Sequence, residues 1–243
     1  MRLSVIIPAH NEETRLPVTV IKIDAYLKNQ GYFYELLVVD DGSTDGTGQA
    51  VQKMTQEIKN LKVIGYQKNK GKGYAVRLGM FEAKGEYCLF LDADNSVSIE
   101  QIERFFPELE NKTDVAIASR DAQGAVLDPP QGWWRRVVMA GVYKGMRKTL
   151  LNLRDIEDTQ CGFKCFKKEA AKKIFSRCRI NGLSFDVEVL LIARKMGFII
   201  KEIPVYWSNS SLSRVTFRLI IGAALDLLRI KMNSVLYFKK RPY

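Results

Sequence analysis

Tyr87-Cys-Leu-Phe-Leu-Asp-Ala-Asp-Asn-Ser96 carries the strongest structural signal in the chain. It opens with an apolar run that has almost no polar alternation, the pattern of a strand covered on both faces in a parallel sheet flanked by helices. The run stops abruptly at two carboxylates, Asp92 and Asp94. Open α/β sheets place their ligands where strands leave the sheet at their carboxyl ends. Two aspartates separated by one small residue turn hard oxygens toward one point, which suits Mg²⁺ or Mn²⁺ bridging phosphates. Taken alone, the same residues also describe a cap and a turn ahead of a helix. The neighbouring segments choose between the two.

Working outward, Leu3 to Pro8 reads as a buried strand that runs into the loop Ala9-His-Asn-Glu12, and Val18 to Leu27 has helical apolar spacing with Gly31 beyond it. Leu36 to Val39 is a second buried strand entering Asp40-Asp-Gly-Ser-Thr-Asp45, followed by a helix to about Lys59. Lys62 to Tyr66 is a third strand, and Asn69-Lys-Gly-Lys-Gly73 opens a helix over Tyr74 to Ala83. Ser98-Ile-Glu-Gln101 fits a capping box, and Asp114 to Ser119 is a fifth strand ending at Arg120. Strand and helix alternation with short connections is the signature of a doubly wound, mostly parallel sheet with flanking helices. Parallel strands leave on one edge, so Pro8 to Glu12, Asp40 and Asp41, Asp92 and Asp94, and Arg120 are expected to converge there as one site. His10, in a polar loop, reads as a supporting hydrogen-bond partner.

After Gln123 the regularity fails. Gly124 to Gly132 reads as a mobile connection, Trp133 to Leu153 as a basic helix, and Asp158 to Phe163 as a polar, glycine-containing loop before a short strand and a helix from Lys168. Phe185 to Met196 is a helix whose Asp186 and Glu188 complement its positive end. Ile199 to Trp207 is a last strand, at an edge because of Pro204. The net charge of +11 is local: Trp133 to Arg154 holds six basic residues and no acid, and Ser208 to Tyr243 holds seven against Asp226, leaving the remainder close to neutral. Basic helices carrying Trp133, Trp134, Leu150 and Leu219 to Leu228 suit peripheral contact with an anionic membrane surface, or packing against a membrane-protein partner or a second copy. Four sparse cysteines exclude a disulfide scaffold and fit no zinc spacing. The amino-terminal apolar run meets Pro8 too early for a signal peptide, and no stretch is apolar enough to span a membrane. A module that binds nucleic acid through charge is disfavoured, since carboxylates gathered at strand ends repel polyanions.

Four segments in order, Val5-Ile-Ile-Pro-Ala-His-Asn-Glu12, Val38-Val-Asp-Asp-Gly-Ser-Thr-Asp45, Asn69-Lys-Gly-Lys-Gly73 and Asp92-Ala-Asp94, resemble the family 2 inverting glycosyltransferases of the GT-A fold. Asp158-Thr-Gln-Cys-Gly-Phe-Lys164, Phe185-Asp-Val-Glu188 and Glu202-Ile-Pro-Val-Tyr-Trp207 resemble the polyprenyl-phosphate sugar transferases among them, the dolichyl-phosphate β-glucosyltransferases ahead of the mannose synthases. The resemblance implies a catalytic domain over residues 1–207, with a nucleotide-sugar half (1–123) and an acceptor half (124–207), and a basic membrane-associating tail over 208–243. It implies that Pro8, Glu12, Asp40 and Asp41 surround the nucleoside, Lys72 the diphosphate, and Asp92 and Asp94 the ribose and a Mg²⁺ or Mn²⁺ ion, with Asn69 also binding the donor. Ser96 stands where mannose synthases often carry a further metal-binding Gln. Arg120, with Arg135 or Arg136, would meet the acceptor phosphate. The implied activity is transfer of a hexose, glucose from UDP-glucose, to dolichyl or polyprenyl phosphate at the cytoplasmic membrane face. GDP-mannose as donor, or a sugar-hydroxyl acceptor with Asp158 as general base, are the alternatives. A phosphate acceptor needs no base, because with a second pKa of about 6 it is already largely dianionic at neutral pH.

Overall fold

The structure, a computed structural model, describes residues 1–129, 140–208, 217–234 and 237. Strands β1 (Leu3–Ala9), β2 (Tyr34–Asp40), β3 (Leu61–Gly65), β4 (Tyr87–Leu91), β5 (Val115–Ser119), β7 (Phe163–Lys167) and β8 (Ile200–Pro204) form one seven-stranded sheet in the order β3-β2-β1-β4-β7-β5-β8. The short strands β6 (Val126–Asp128) and β9 (Tyr206–Ser208) pair separately and in parallel. The connection expected over Gly124 to Gly132 includes this short strand β6, and its residues 130–132 lie outside the described residues. The expected last strand is divided at Pro204–Val205: its first part is the outer strand of the main sheet and its second part leaves it.

Successive residues of the central strands feed two different cores, as the two-residue period of a strand requires. Val5 and Ile7, Leu36 and Val38, and Leu89 and Leu91 point to one side. There they meet α1 (Leu16–Leu27), α2 (Thr47–Met54), a 3₁₀ turn (Ile99–Arg104) and α4 (Phe106–Glu110). Ile6, Leu37, Val39, Cys88 and Phe90 point to the other side. They pack against α3 (Lys72–Glu82), α6 (Lys168–Phe175) and α7 (Phe185–Lys195), with α5 (Ala140–Leu150) and α8 (Phe217–Asn233) beyond them. Leu227, Ile230 and Tyr237 are buried in this second core. Residues burying both faces of β4 explain why its sequence shows no polar alternation.

Some local expectations change. The helix after Asp45 ends at Met54, not near Lys59, and α3 begins at Lys72 rather than Tyr74. Ser98 makes no side-chain cap, and the segment after it is a 3₁₀ turn. Gln101, the other half of the expected capping box, is drawn away: its side chain donates to the Tyr206 carbonyl at 2.7 Å and accepts from the Tyr206 N–H at 2.8 Å. Long-range pairing with β9 wins over the local box.

The strand that organises the site is β7, which runs antiparallel to both β4 and β5 while β1, β2, β4 and β5 are mutually parallel. Parallel strands bring their exit loops to one edge, and an antiparallel strand between them brings its entry loop to the same place. The loops after β1, β2, β4 and β5 thus share an edge with the 158–162 segment that leads into β7, which the β4 and β5 exits contact directly.

Candidate active site

At this edge the first two loops hold each other. The Asn11 N–H donates to Ser43 Oγ (3.0 Å), the Thr44 N–H to Asn11 Oδ1 (2.8 Å) and the Glu12 N–H to Thr47 Oγ1 (2.8 Å). Asn11 adopts the left-handed conformation (φ 56°) that lets its side chain turn back to this loop. Pro8 lies inside β1, opposite Val39. The Glu12 carboxylate takes two hydrogen bonds of 2.6 Å from Arg15, a bidentate pair. His10 Nδ1 is 3.0 Å from the Asp41 carbonyl oxygen.

The two aspartates after β2 do different things. Asp40 Oδ1 accepts from the Ser43 N–H at 3.0 Å, the local turn contact its sequence position invites. Asp41 is buried and turned toward the 69–73 loop. Its carboxylate accepts from Tyr66 Oη (2.7 Å) and from the N–H groups of Lys70 (2.7 Å) and Gly71 (2.9 Å). Burial, then the Asp41 hydrogen bond, push the Tyr66 phenol well above its ordinary value. Gly71, at φ 98°, allows a turn that a side chain would oppose. Asn69 is exposed on this loop.

Lys72, the first residue of α3, places its ammonium 2.5 Å from Asp92 Oδ1. Burial lowers the lysine's affinity for its proton, and the charges of Asp92 and Asp186 outweigh that, so its pKa is raised. The Asp92 N–H donates to the Gly162 carbonyl at 3.0 Å. A Cβ on Gly162 would lie 2.0 Å from Asp92 Oδ2, so the carboxylate occupies space that only glycine leaves. Asp94 Oδ1 accepts from the Ser96 N–H at 3.0 Å, across Asn95 in the left-handed conformation (φ 54°). Asp94, Asn95 and Ser96 line a cleft of about 430 Å³ shared with Arg15, Lys22 and Tyr206. Buried Asn95 Oδ1 and Ser96 Oγ have no hydrogen-bond partner among the described residues.

Across β7 stands a second charged pair. Arg120 Nε and Nη2 donate to Asp158 Oδ2 (2.6 Å) and Oδ1 (2.9 Å), and the backbone N–H groups of Arg120, Gln160 and Cys161 close on the same carboxylate. Glu202 of β8, whose part sequence reasoning missed, accepts from the N–H groups of Glu157 and Asp158 at 2.7 and 2.9 Å and fixes the loop from behind. Burial raises the Asp158 pKa, but the Arg120 charge and these hydrogen bonds overcome it and hold the carboxyl far below the usual range. The Arg120 guanidinium lies 5.7 Å from the Trp207 ring centre. Arg135 and Arg136 lie outside the described residues.

Two further features escaped the sequence. Lys164 and Asp186, both buried, form an ion pair of 2.6 Å beneath the site. Glu188 accepts from the N–H groups of Arg179 and Ile180 (2.9 and 2.8 Å) and from Tyr237 Oη (2.7 Å). Asp186 and Glu188 do sit in the first turn of α7, but their work is with specific buried partners. Besides the resemblance of Phe185-Asp-Val-Glu188, the sequence signal was their type: acids within an otherwise apolar, covered helix. The cysteines are buried, and burial pushes the Cys88 and Cys161 thiols up to about 12, which keeps them protonated.

The metal implied by the sequence meets a restricted donor set. Among the described residues no group of three or more His, Cys, Asp or Glu side chains gathers to form a cage. Asp92 and Asp94 stand two residues apart at the exit of β4 and supply hard oxygens, a donor type that suits Mg²⁺ or Mn²⁺ when substrate phosphates complete the shell. Asp94 is the freer of the two, because Asp92 is neutralised by Lys72.

The comparisons with known proteins agree with this architecture. The human dolichyl-phosphate β-glucosyltransferase is 35% identical over 246 aligned positions, spanning 96% of this chain and 75% of the relative. The yeast (Saccharomyces cerevisiae) enzyme of that name is 33% identical over 255, with 96% and 75% covered. Among solved structures, mannosyl-3-phosphoglycerate synthase from Rubrobacter xylanophilus superposes with a TM-score of 0.69 at 16% identity, covering 100% of this chain and 77% of that one. Glucosyl-3-phosphoglycerate synthase from Mycobacterium tuberculosis, in complex with Mn²⁺, UDP and glucosyl-3-phosphoglycerate, gives 0.68 at 16% identity, with 96% and 79% covered. These two share the fold. The glycosyl transferase family 2 profile matches residues 4–175, and with it the chain belongs to glycosyl transferase family 2.

Proposed function

We propose that this glycosyltransferase moves glucose from UDP-glucose to a dolichyl or other polyprenyl phosphate at the cytoplasmic face of a membrane, with Mg²⁺ or Mn²⁺ as cofactor. The relatives' names support the sugar and the acceptor class. The observation that carries the phosphate acceptor is the Arg120–Asp158 pair. A sugar hydroxyl would need Asp158 as a base, yet Asp158 is bound bidentately and its affinity for a proton is far below that of an ordinary carboxylate. A phosphate monoester dianion needs cations instead. Asp158 takes one edge of the guanidinium through Nε and Nη2, which leaves the other edge of Arg120 for the acceptor phosphate in this reading.

In this reading a phosphate oxygen of the acceptor attacks the anomeric carbon as the bond from that carbon to the UDP oxygen breaks, and no proton has to move. Inversion follows from attack opposite the leaving group. Lys72, at the positive amino terminus of α3, faces the diphosphate. Asp92 would exchange its lysine contact for ribose hydroxyls, and Asp94 would hold the metal. When bound, the metal neutralises charge on the departing nucleoside diphosphate. Pro8, Glu12, Asp40, Asp41 and Asn69 form or brace the nucleoside wall.

Peripheral membrane contact is supported by α8, which packs against α5 and exposes Leu225, Leu228 and Met232 beside Arg229 and Lys231. No helix among the described residues is long and apolar enough to cross a membrane. The basic helix α5 contributes less charge than its sequence promises. Arg147 is buried and donates to the carbonyls of Leu153, Ile156 and Glu157, and Lys148 pairs with Glu157 at 2.7 Å.

The test is incubation of purified protein with labelled UDP-glucose or GDP-mannose and a short polyprenyl phosphate, with Mn²⁺ or with chelator. Glucose-labelled lipid that needs the metal is the expected result. Absence of any lipid-linked sugar, with transfer to a sugar hydroxyl instead, would overturn the reading.

A further inference from the structure

Lys164 and Asp186 are two opposite charges in the middle of a protein. Lys164 is fully buried, Asp186 nearly so, and their 2.6 Å contact lies next to the aromatic ring of Phe90, 5.2 Å from the ammonium. A core has no need of such a pair, since apolar side chains of similar volume stabilise as well or better. Its surroundings show what it touches. The Lys164 ammonium also donates to the Cys161 carbonyl at 2.5 Å, and the next residue, Gly162, is the one packed on the Asp92 carboxylate and bonded to its N–H. Asp186 follows Phe185, whose ring lies 5.8 Å from the Lys72 ammonium and whose Cβ approaches Gly73 so closely that a side chain there would collide with it. The amino termini of α3 and α7 are thus pressed together, and Asp186 acts electrostatically on Lys72. A chain of contacts therefore runs from Lys72 through Asp92 and the 161–162 backbone to Lys164 and Asp186, and the Phe185 ring sets the start of α7 against the Lys72 ammonium.

We infer that Asp186, anchored by Lys164, is a positioning residue that holds the Lys72 ammonium toward the donor diphosphate once the nucleotide has taken over Asp92. This inference rests on the donor-site reading above. Without a nucleotide, Lys72 is pinned by Asp92. When ribose hydroxyls claim Asp92 and Asp94 holds the metal, the negative charge of Asp186 still acts on the ammonium, and Asp186 is kept in place by Lys164 and the core. The lysine therefore stays at the helix terminus where the phosphates arrive, and its long flexible stem is not free to wander.

Removing Asp186 alone would leave Lys164 charged in the core, so the two are replaced together: Lys164→Met with Asp186→Asn, or Lys164→Gln with Asp186→Asn should the first pair not fold. UDP affinity is measured by calorimetry in the presence of Mn²⁺ on four proteins: wild type, Lys72→Met, the paired variant, and all three changes combined. The expected result is a loss of roughly tenfold in UDP affinity for the paired variant, the size typical of losing a group that orients a ligand contact. On the Lys72→Met background the same pair should cost nothing further, because it acts through Lys72. In turnover the pair should raise KM for the nucleotide sugar far more than it lowers kcat. Full UDP affinity in the paired variant, or an equal loss on both backgrounds, would overturn the positioning role and leave a plain core contact. A wild-type chain that binds no UDP would overturn the donor-site reading itself, and the inference with it.

Discussion

The sheet edge carries two charged pairs on opposite sides of the antiparallel strand β7, and they are built differently. Lys72–Asp92 is a single contact of 2.5 Å between side chains that remain 25% and 36% exposed. Arg120–Asp158 is bidentate, Asp158 is 5% exposed, and three backbone N–H groups close on the same carboxylate. The first pair is open enough for a ligand to replace either partner. The second is fixed, and it holds the arginine in one orientation. In the proposed reading, the looser pair marks an exchangeable donor side and the tighter one a preorganised acceptor side, divided by one strand.

The strongest way to break this comparison is at the carboxylate that belongs to neither pair. Asp94→Asn should lower turnover by about 10³-fold, the scale of losing a preorganised electrostatic contact, with circular dichroism unchanged. Full activity in that variant would remove Asp94 from the chemistry. Next in size, Asp158→Asn should destabilise the fold by about 3 kcal/mol, because Arg120 loses its buried partner.

Acid sharpens the second prediction. The Asp158 pKa is lower folded than unfolded, so its stabilisation is present above the ordinary carboxylate value of about 4 and is lost as pH falls from there toward the folded pKa. Thermal melts between pH 6 and the lowest pH at which the protein stays soluble should fall more steeply for wild type than for Asp158→Asn. Parallel curves would mean that Asp158 is not held as the structure has it.

Gly162→Ala probes the donor side. The new methyl group would occupy the place of the Asp92 carboxylate, so UDP binding should weaken by roughly tenfold, with a stability loss of about 1–3 kcal/mol from overpacking. Calorimetry and a denaturant melt read the two, and unchanged binding would show that Asp92 is not required where it stands. The smallest effect is expected for Tyr237→Phe, about 1 kcal/mol, from one lost hydrogen bond to Glu188. Glu188 braces the 179–180 backbone, and the Gly73 N–H donates to the next carbonyl, Asn181, at 2.8 Å. A denaturant melt of this variant tests whether the carboxyl-terminal residues support the donor loop.

Much of the donor side was legible because its signals are local. A run without polar alternation that ends in Asp92 and Asp94 reads as a covered strand reaching an edge once the three earlier strand runs, which place Pro8, Asp40 and Lys72 on that edge, are set beside it. Asp41 was legible as a residue of the site but not in its contacts. Its partners, Tyr66, Lys70 and Gly71, come from across a helix and a strand. The failed capping box at Ser98 has the same origin, since Gln101 prefers a partner more than a hundred residues away.

By itself the sequence determined the strand and helix alternation, the edge on which the acids gather, the family, and the local concentration of positive charge. Each follows from periodicity or from neighbours a few residues apart. Only the tertiary structure decided the direction of β7, and with it the meeting of Asp158 with Arg120, the burial of Lys164 against Asp186, and the withdrawal of Arg147 from the basic surface. These depend on the pairing of segments far apart in the chain. A charged residue takes its role from the partner the fold brings to it, and the identity of that partner is not written in its own neighbourhood.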